Sequence, residues 1–206
     1  MDNSVHHNYY HIDVNPVSGA LGAEINGVDI SAPLDAEVVS EIRKALLNHL
    51  VIFFQNQHIT PQQQLRFAKN FGVPIEYPQL KGLPECPLVT EVIKLEHEKL
   101  NFGGVWHSDT TYLLEPPMAS ILYAIEIPPY GGDTLFSNQY KAFDTLSEGL
   151  KKLLSELVAA NTSSKKEVSM TRDERMREAG MELNILSALH PVVRTHPETG
   201  IKALYV

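Results

Sequence analysis

"GGVWHSDTTY" (residues 103–112) sets a histidine and an aspartate two apart among glycines and β-forming residues. Residues i and i+2 of an extended segment share a face, so His107 and Asp109 can aim at one point, as metal ligation requires. The pattern recurs at His11-Ile12-Asp13, and nine histidines in the chain make one chance match unsurprising. Context separates the two. His11 lies between Tyr10 and Ile12 with no glycine nearby, which reads as an exposed strand histidine. Around His107, Gly103-Gly104 lets the backbone approach another group closely, and Trp106 offers an aromatic wall. On pattern alone the second pair is either half of a metal site or a satisfied polar pair on a strand.

The surrounding chain narrows the setting. Its 206 residues, 43% hydrophobic and 20% charged, are ordinary for one soluble globular domain and long enough to bury a sizeable core. The single cysteine, Cys86, rules out an internal disulfide and a cysteine-rich zinc site. A formal charge of −8 argues against nucleic acid, whose phosphates need clustered Lys and Arg. No apolar run reaches membrane-spanning length, and "MDNSVHHNYY" is no signal peptide, so no membrane contact and a cytoplasmic location are expected.

Outward from the motif, "YYHIDVNPV" (9–17) and "GAEINGVDI" (22–30) alternate like strands. Val38, Val39, Ile42, Ala45, Leu46 and Leu50 fall at helical spacing over 35–50, and "LVIFFQ" (50–55) reads as a buried strand. Thr60-Pro61-Gln62-Gln63 is a capping box with proline at the first helical position, opening a helix that stops at Phe71-Gly72. "LVTEVIKL" (88–95), 105–112, 118–127 and 133–138 are further strand candidates, and 139–160 reads as helix. The dense charge over 161–183 suggests a mobile lid or loose helix. "HPVVRTHPETGIKALYV" (190–206) closes as two β segments about a Pro-Glu-Thr-Gly turn. Repeats, linkers and a second domain are not evident, so residues 1–206 are expected to form a single domain.

A neutral imidazole, one carboxylate and a second histidine would make the facial triad of a non-haem iron(II) oxygenase, with positions left open for cosubstrate and oxygen. Downstream of Asp109, only His190 and His196 could supply that second histidine. Here several motifs carry a resemblance. "WHSDTTY", "PP", "GGDTLF" and "HPVVRTHPETGIKALYV", preceded in order by "GAEINGVDIS" and "LLNHLVIFFQNQHITPQQQLRFAKNFG", resemble the taurine dioxygenase (TauD/TfdA) family of iron(II)/2-oxoglutarate-dependent enzymes. The resemblance covers nearly the whole chain. It implies a mainly β fold with flanking helices, a distorted double-stranded β-helix or jelly roll. It implies His107 and Asp109 as Fe(II) ligands and Thr134 as a hydroxyl contact to 2-oxoglutarate.

The family's distal histidine, and an arginine that clamps the cosubstrate, come later than "HPVVRTHP". His190 and His196 are therefore expected to be structural or channel-lining. Only 97 residues (206 − 109) follow Asp109, which suggests a truncated member, an incomplete domain lacking the C-terminal part of the roll and the distal ligand. Positions matching the family's substrate pocket are Tyr77, Gly103, Thr110 and Tyr112. Tyr77 replaces a sulfonate-binding histidine, and a phenol cannot become a cation, so charge assistance is lost there. The expected substrate is a small organic acid, a sulfonate such as taurine or a sulfate ester, oxidised with O2. A homo-oligomer is compatible with this reading. Two rivals are a catalytically inactive half-roll with a binding or structural role, and a zinc hydrolase. The hydrolase lacks any His-Glu-x-x-His motif.

Overall fold

Strand β2 (Ala23–Asn26) is where the chain commits to a core, because it is paired on both edges. The computed structural model describes residues 9–78, 80–96, 103–164, 177, 180 and 184–206. These divide into two compact units, Met1–Gly72 with Tyr123–Asn138, and Val73–Leu122 with Gln139–Val206.

In the first unit β1 (Asp13–Pro16) lies antiparallel to β2, with Val14 opposite Ile25. A parallel neighbour needs a crossover. Helix α1 (Ala36–His49) supplies it and returns the chain to β3 (Ile52–Phe54), whose Phe54 faces Ile25 across the ladder. Ile42 and Ala45 of α1 are completely buried and join Ile12, Ile25, Ile30 and Phe67 in one cluster. Phe67 belongs to α2 (Pro61–Ala68) and meets Phe54 edge to face at 5.5 Å.

The start of α2 is built as its sequence suggests. Gln63 N–H donates to the Thr60 hydroxyl at 3.3 Å, and Thr60 N–H donates to the Gln63 side chain at 2.7 Å. Gln57 ties the adjacent loop down: its side chain accepts from Ile30 N–H and donates to the Val28 carbonyl, each at 3.0 Å.

The second unit holds α3 (Gln139–Asp144), α4 (Glu148–Ser155) and two two-stranded antiparallel sheets. One pairs β4 (Val158–Thr162) with β5 (Ser187–Pro191); the other pairs β6 (Val193–Thr195) with β7 (Lys202–Leu204). The β6–β7 turn closes through His196 N–H to the Ile201 carbonyl and Gly200 N–H to the His196 carbonyl, both 2.9 Å. Gly200 takes φ +70°, the left-handed conformation that the turn requires. A second tight turn brings Gly82 so near Pro87 that a Cβ there would collide with its carbonyl oxygen. Cys86 is buried within that loop.

Several expectations are corrected. Segments 88–95, 105–112, 118–127 and 133–138 carry no strand. They are rich in β-formers, yet a strand exists only where a neighbour accepts its hydrogen bonds, and none is paired among the described residues. Leu122 and Ile125 are accordingly exposed. The single helix read over 139–160 is instead α3, α4 and the start of β4, with Ser147 capping α4 by accepting from Leu150 N–H at 3.3 Å. Most of the expected lid, 161–183, lies outside the described residues.

Two substitutions rank the forces in the first unit. Ile42→Ala should cost about 2–5 kcal/mol, since it opens a cavity at a completely buried site. Thr60→Ala should cost about 1 kcal/mol, the usual loss for a helix cap. Urea denaturation of both variants checks the order, which a larger loss at Thr60 would reverse.

Candidate metal centre

His107 and Asp109 lie in the second unit, on a loop rather than the expected strand. They nevertheless converge, His107 Nε2 standing 3.2 Å from Asp109 Oδ1. On the other side of the ring, His107 Nδ1 is 2.7 Å from the Val105 carbonyl oxygen. A carbonyl can only accept, so Nδ1 carries a proton and donates it. In the neutral ring Nε2 then holds a lone pair aimed at a carboxylate, an arrangement that needs a cation between the two. Ser120 fixes the other end of the pair, its hydroxyl donating to Asp109 Oδ2 at 2.6 Å.

Without a metal, a second proton on the imidazole serves as that cation. The hydrogen bond to Asp109 raises the His107 pKa, against a downward push from burial, with the Val105 contact adding to the rise. Asp109 is lowered by the same hydrogen bond, opposed by burial and helped by Ser120. A metal ion fits the same place. Two donors about 2.1 Å from one ion and about 90° apart lie about 3.0 Å from each other, close to the observed separation. Among the described residues no third His, Cys, Asp or Glu joins them.

Backbone conformation around the pair is constrained. Gly103 has φ +69°, and a Cβ there would meet His107 Cε1 at 3.1 Å, so a side chain would crowd the imidazole. Thr110, immediately after Asp109, is 8% exposed and takes φ +51°. A β-branched residue in that region carries strain on the order of 1–3 kcal/mol. Among the described residues no partner reaches its buried hydroxyl. Tyr112, two residues on, is also buried. Trp106 is exposed.

The other positions singled out by sequence lie elsewhere. Tyr77 is in the second unit and lines a cavity of about 370 Å³ with Glu76, Lys81 and Pro87. Thr134 belongs to the first unit and is exposed, just past Gly131 and Gly132 at φ +77° and +73°. His11 does not repeat the His107 arrangement. Its Nδ1 is 3.3 Å from Glu41, whose carboxylate also takes the Tyr10 and His11 backbone N–H groups. His196 Nδ1 accepts from Glu198 N–H at 3.2 Å inside the β6–β7 turn. Ser120 was missed by sequence reasoning, and no spacing rule points to it.

Residues 13–206 match a family described as "Taurine catabolism dioxygenase TauD, TfdA family". An alpha-ketoglutarate-dependent sulfate ester dioxygenase of Pseudomonas putida is 36% identical over 94% of this chain and 65% of its own length. An alkylsulfatase of Acinetobacter baylyi is 34% identical, over 94% of this chain and 62% of its own. The crystal structure of a taurine dioxygenase from Burkholderia xenovorans superposes with a TM-score of 0.75 at 35% identity, covering 95% of this chain and 63% of that one. The chain thus spans slightly under two thirds of the length of each.

Groups that hold a metal ligand in place usually matter to affinity about 10–100-fold. Ser120→Ala should therefore weaken Co(II) binding by about tenfold or more, while Ser108→Ala should leave it unchanged. Titration followed by visible absorption measures both. Equal affinities for Ser120→Ala and the parent would remove Ser120 from the site.

Proposed function

The chain belongs to the taurine catabolism dioxygenase TauD, TfdA family, and on that premise we propose that it forms part of an Fe(II)- and 2-oxoglutarate-dependent dioxygenase domain with a distorted jelly-roll fold. The observation that carries this reading is the approach of His107 Nε2 to Asp109 Oδ1 at 3.2 Å, with the far side of each group already engaged. His107 and Asp109 would hold the metal, and Thr134 is assigned a hydroxyl contact to 2-oxoglutarate by resemblance to the family. When bound, Fe(II) with 2-oxoglutarate and O2 supplies the oxidation of a substrate C–H bond, with succinate and CO2 as co-products.

The residues of this chain bind and orient. Val105 fixes the His107 tautomer, Ser120 holds the Asp109 carboxylate, and the buried Thr110 and Tyr112 beside the metal loop would shape the substrate pocket with Gly103. Tyr77 is proposed to bind the substrate oxyanion by a neutral hydrogen bond. The proposed substrate class is a sulfonate or sulfate ester. Hydroxylation of the carbon bearing such a group leaves hydroxyl and oxyanion leaving group on one carbon, which collapses to a carbonyl compound and releases sulfite or sulfate. Similarity to a sulfate ester dioxygenase and an alkylsulfatase supports that class. Self-association is proposed through exposed apolar residues such as Leu114, Val158 and Leu189.

A second reading, a binding or structural role without turnover, draws on one observation: among the described residues, only two metal donors meet. Anaerobic titration of Fe(II) into the 206-residue chain, with and without 2-oxoglutarate, followed by a succinate assay in air, tests the two-donor site. We expect weak Fe(II) binding that His107→Ala abolishes, and no succinate above that variant, because two protein donors define a facial triad poorly. Succinate at ordinary enzymatic rates would require a third protein donor and refute the two-donor account. Binding that survives His107→Ala would refute the site itself.

A further inference from the structure

His190 is the most deeply buried histidine among the described residues, at 5% exposed, and the proposed metal chemistry does not use it. It sits on β5 opposite Ala159, and its Nε2 lies 2.9 Å from the Leu113 carbonyl oxygen, 77 residues earlier in the chain. That carbonyl can only accept, so Nε2 carries the proton and donates. The ring cannot turn away from this contact. Its edge meets the Tyr205 ring at 5.4 Å and 90°, and the Arg194 guanidinium covers that same tyrosine at 4.6 Å. Tyr205 is itself held by its backbone N–H, which donates to the Val192 carbonyl at 2.8 Å.

Leu113 is no arbitrary target. Its N–H donates to the Thr110 carbonyl at 2.9 Å, closing a four-residue turn that begins directly after Asp109. The turn opens on Thr110 at φ +51°, a conformation that a β-branched residue leaves unless its surroundings hold it there. The Thr110 hydroxyl supplies none of that restraint, since it has no partner among the described residues.

We propose that His190 is a positioning residue for the metal loop: by donating to Leu113 it holds the Thr110–Leu113 turn, and through the strained Thr110 it sets the direction in which Asp109 meets His107. The part concerning metal rests on the reading of His107 and Asp109 as ligands; the part concerning the turn does not. His190 thus acts on the site without entering it, which accounts for a buried histidine that is not a ligand. A glutamine at this position keeps an N–H donor the same number of bonds from Cβ. A phenylalanine keeps the ring against Tyr205 and loses the donor.

The test compares the 206-residue chain with His190→Gln and His190→Phe by amide hydrogen exchange and by Co(II) titration. In His190→Phe the Leu113 amide should exchange about tenfold faster or more, as expected when a part-buried carbonyl loses its donor. The Val192 amide, bonded to the Leu157 carbonyl at 3.0 Å just past the end of β5, should keep its protection. Co(II) affinity should fall about tenfold in His190→Phe and recover in His190→Gln. If Leu113 and Val192 lose protection equally, His190 merely stabilises the strand and the proposal fails. It fails also if Leu113 is unchanged in His190→Phe, or if Gln behaves like Phe. Should the parent bind no Co(II) while Leu113 responds as expected, the turn-holding role stands and the metal reading is what falls.

Discussion

A carbonyl oxygen accepts protons and never gives one, and the candidate site follows from that constraint at Val105. With Nδ1 of His107 committed to the Val105 carbonyl at 2.7 Å, only Nε2 remains to meet Asp109. A lone pair and a carboxylate facing each other at 3.2 Å repel unless a cation lies between them, so the pair selects for a proton or a metal ion. The supporting contacts all limit how this pair can relax. Ser120 restrains the far carboxylate oxygen, Gly103 leaves room beside the ring, and Thr110 turns the chain away at once. Each of these residues is unremarkable by type. Their effect comes from where a neighbouring atom happens to be fixed.

Local devices were legible in the sequence and non-local ones were not. The Thr60 capping box, the apolar stripe of α1 and the Pro-Glu-Thr-Gly turn are written within a few consecutive residues, and each forms where it was read. Strands at 88–95, 105–112 and 118–127 could not be decided in the same way, because β-propensity describes a surface that fits a sheet and supplies no partner. The site divides along the same line. Gly103 and the two-residue spacing of His107 and Asp109 are visible in ten residues. Ser120 lies 11 residues from Asp109 and reaches it only through the path of the intervening loop. His11 shows the converse: an identical spacing becomes an anchor for Glu41 once α1 brings that carboxylate alongside. The family resemblance covered nearly the whole chain and was matched over residues 13–206.

The two units differ in how far their own residues satisfy them. The first has a closed cluster in which β2, α1 and α2 each contribute a buried side chain, Ile25, Ile42 and Phe67. In the second, small sheets leave Val158 and Leu189 62% and 67% exposed, and α4 contains no buried residue. The loop carrying His107 and Asp109 lies in this second unit, so the geometry of the candidate site depends on a few specific hydrogen bonds more than on bulk packing.

The tight loop that encloses Cys86 has a practical consequence. The chain contains one thiol, and that thiol is 3% exposed behind hydrogen bonds from Leu83 N–H to the Val89 carbonyl and from Val89 N–H to the Cys86 carbonyl. A thiol-reactive dye added to the native protein therefore finds nothing to modify until this loop opens, and every molecule it modifies carries one label at a known position. The labelling rate becomes a clock for opening of a loop that lines the Tyr77 cavity, readable without introducing a reporter.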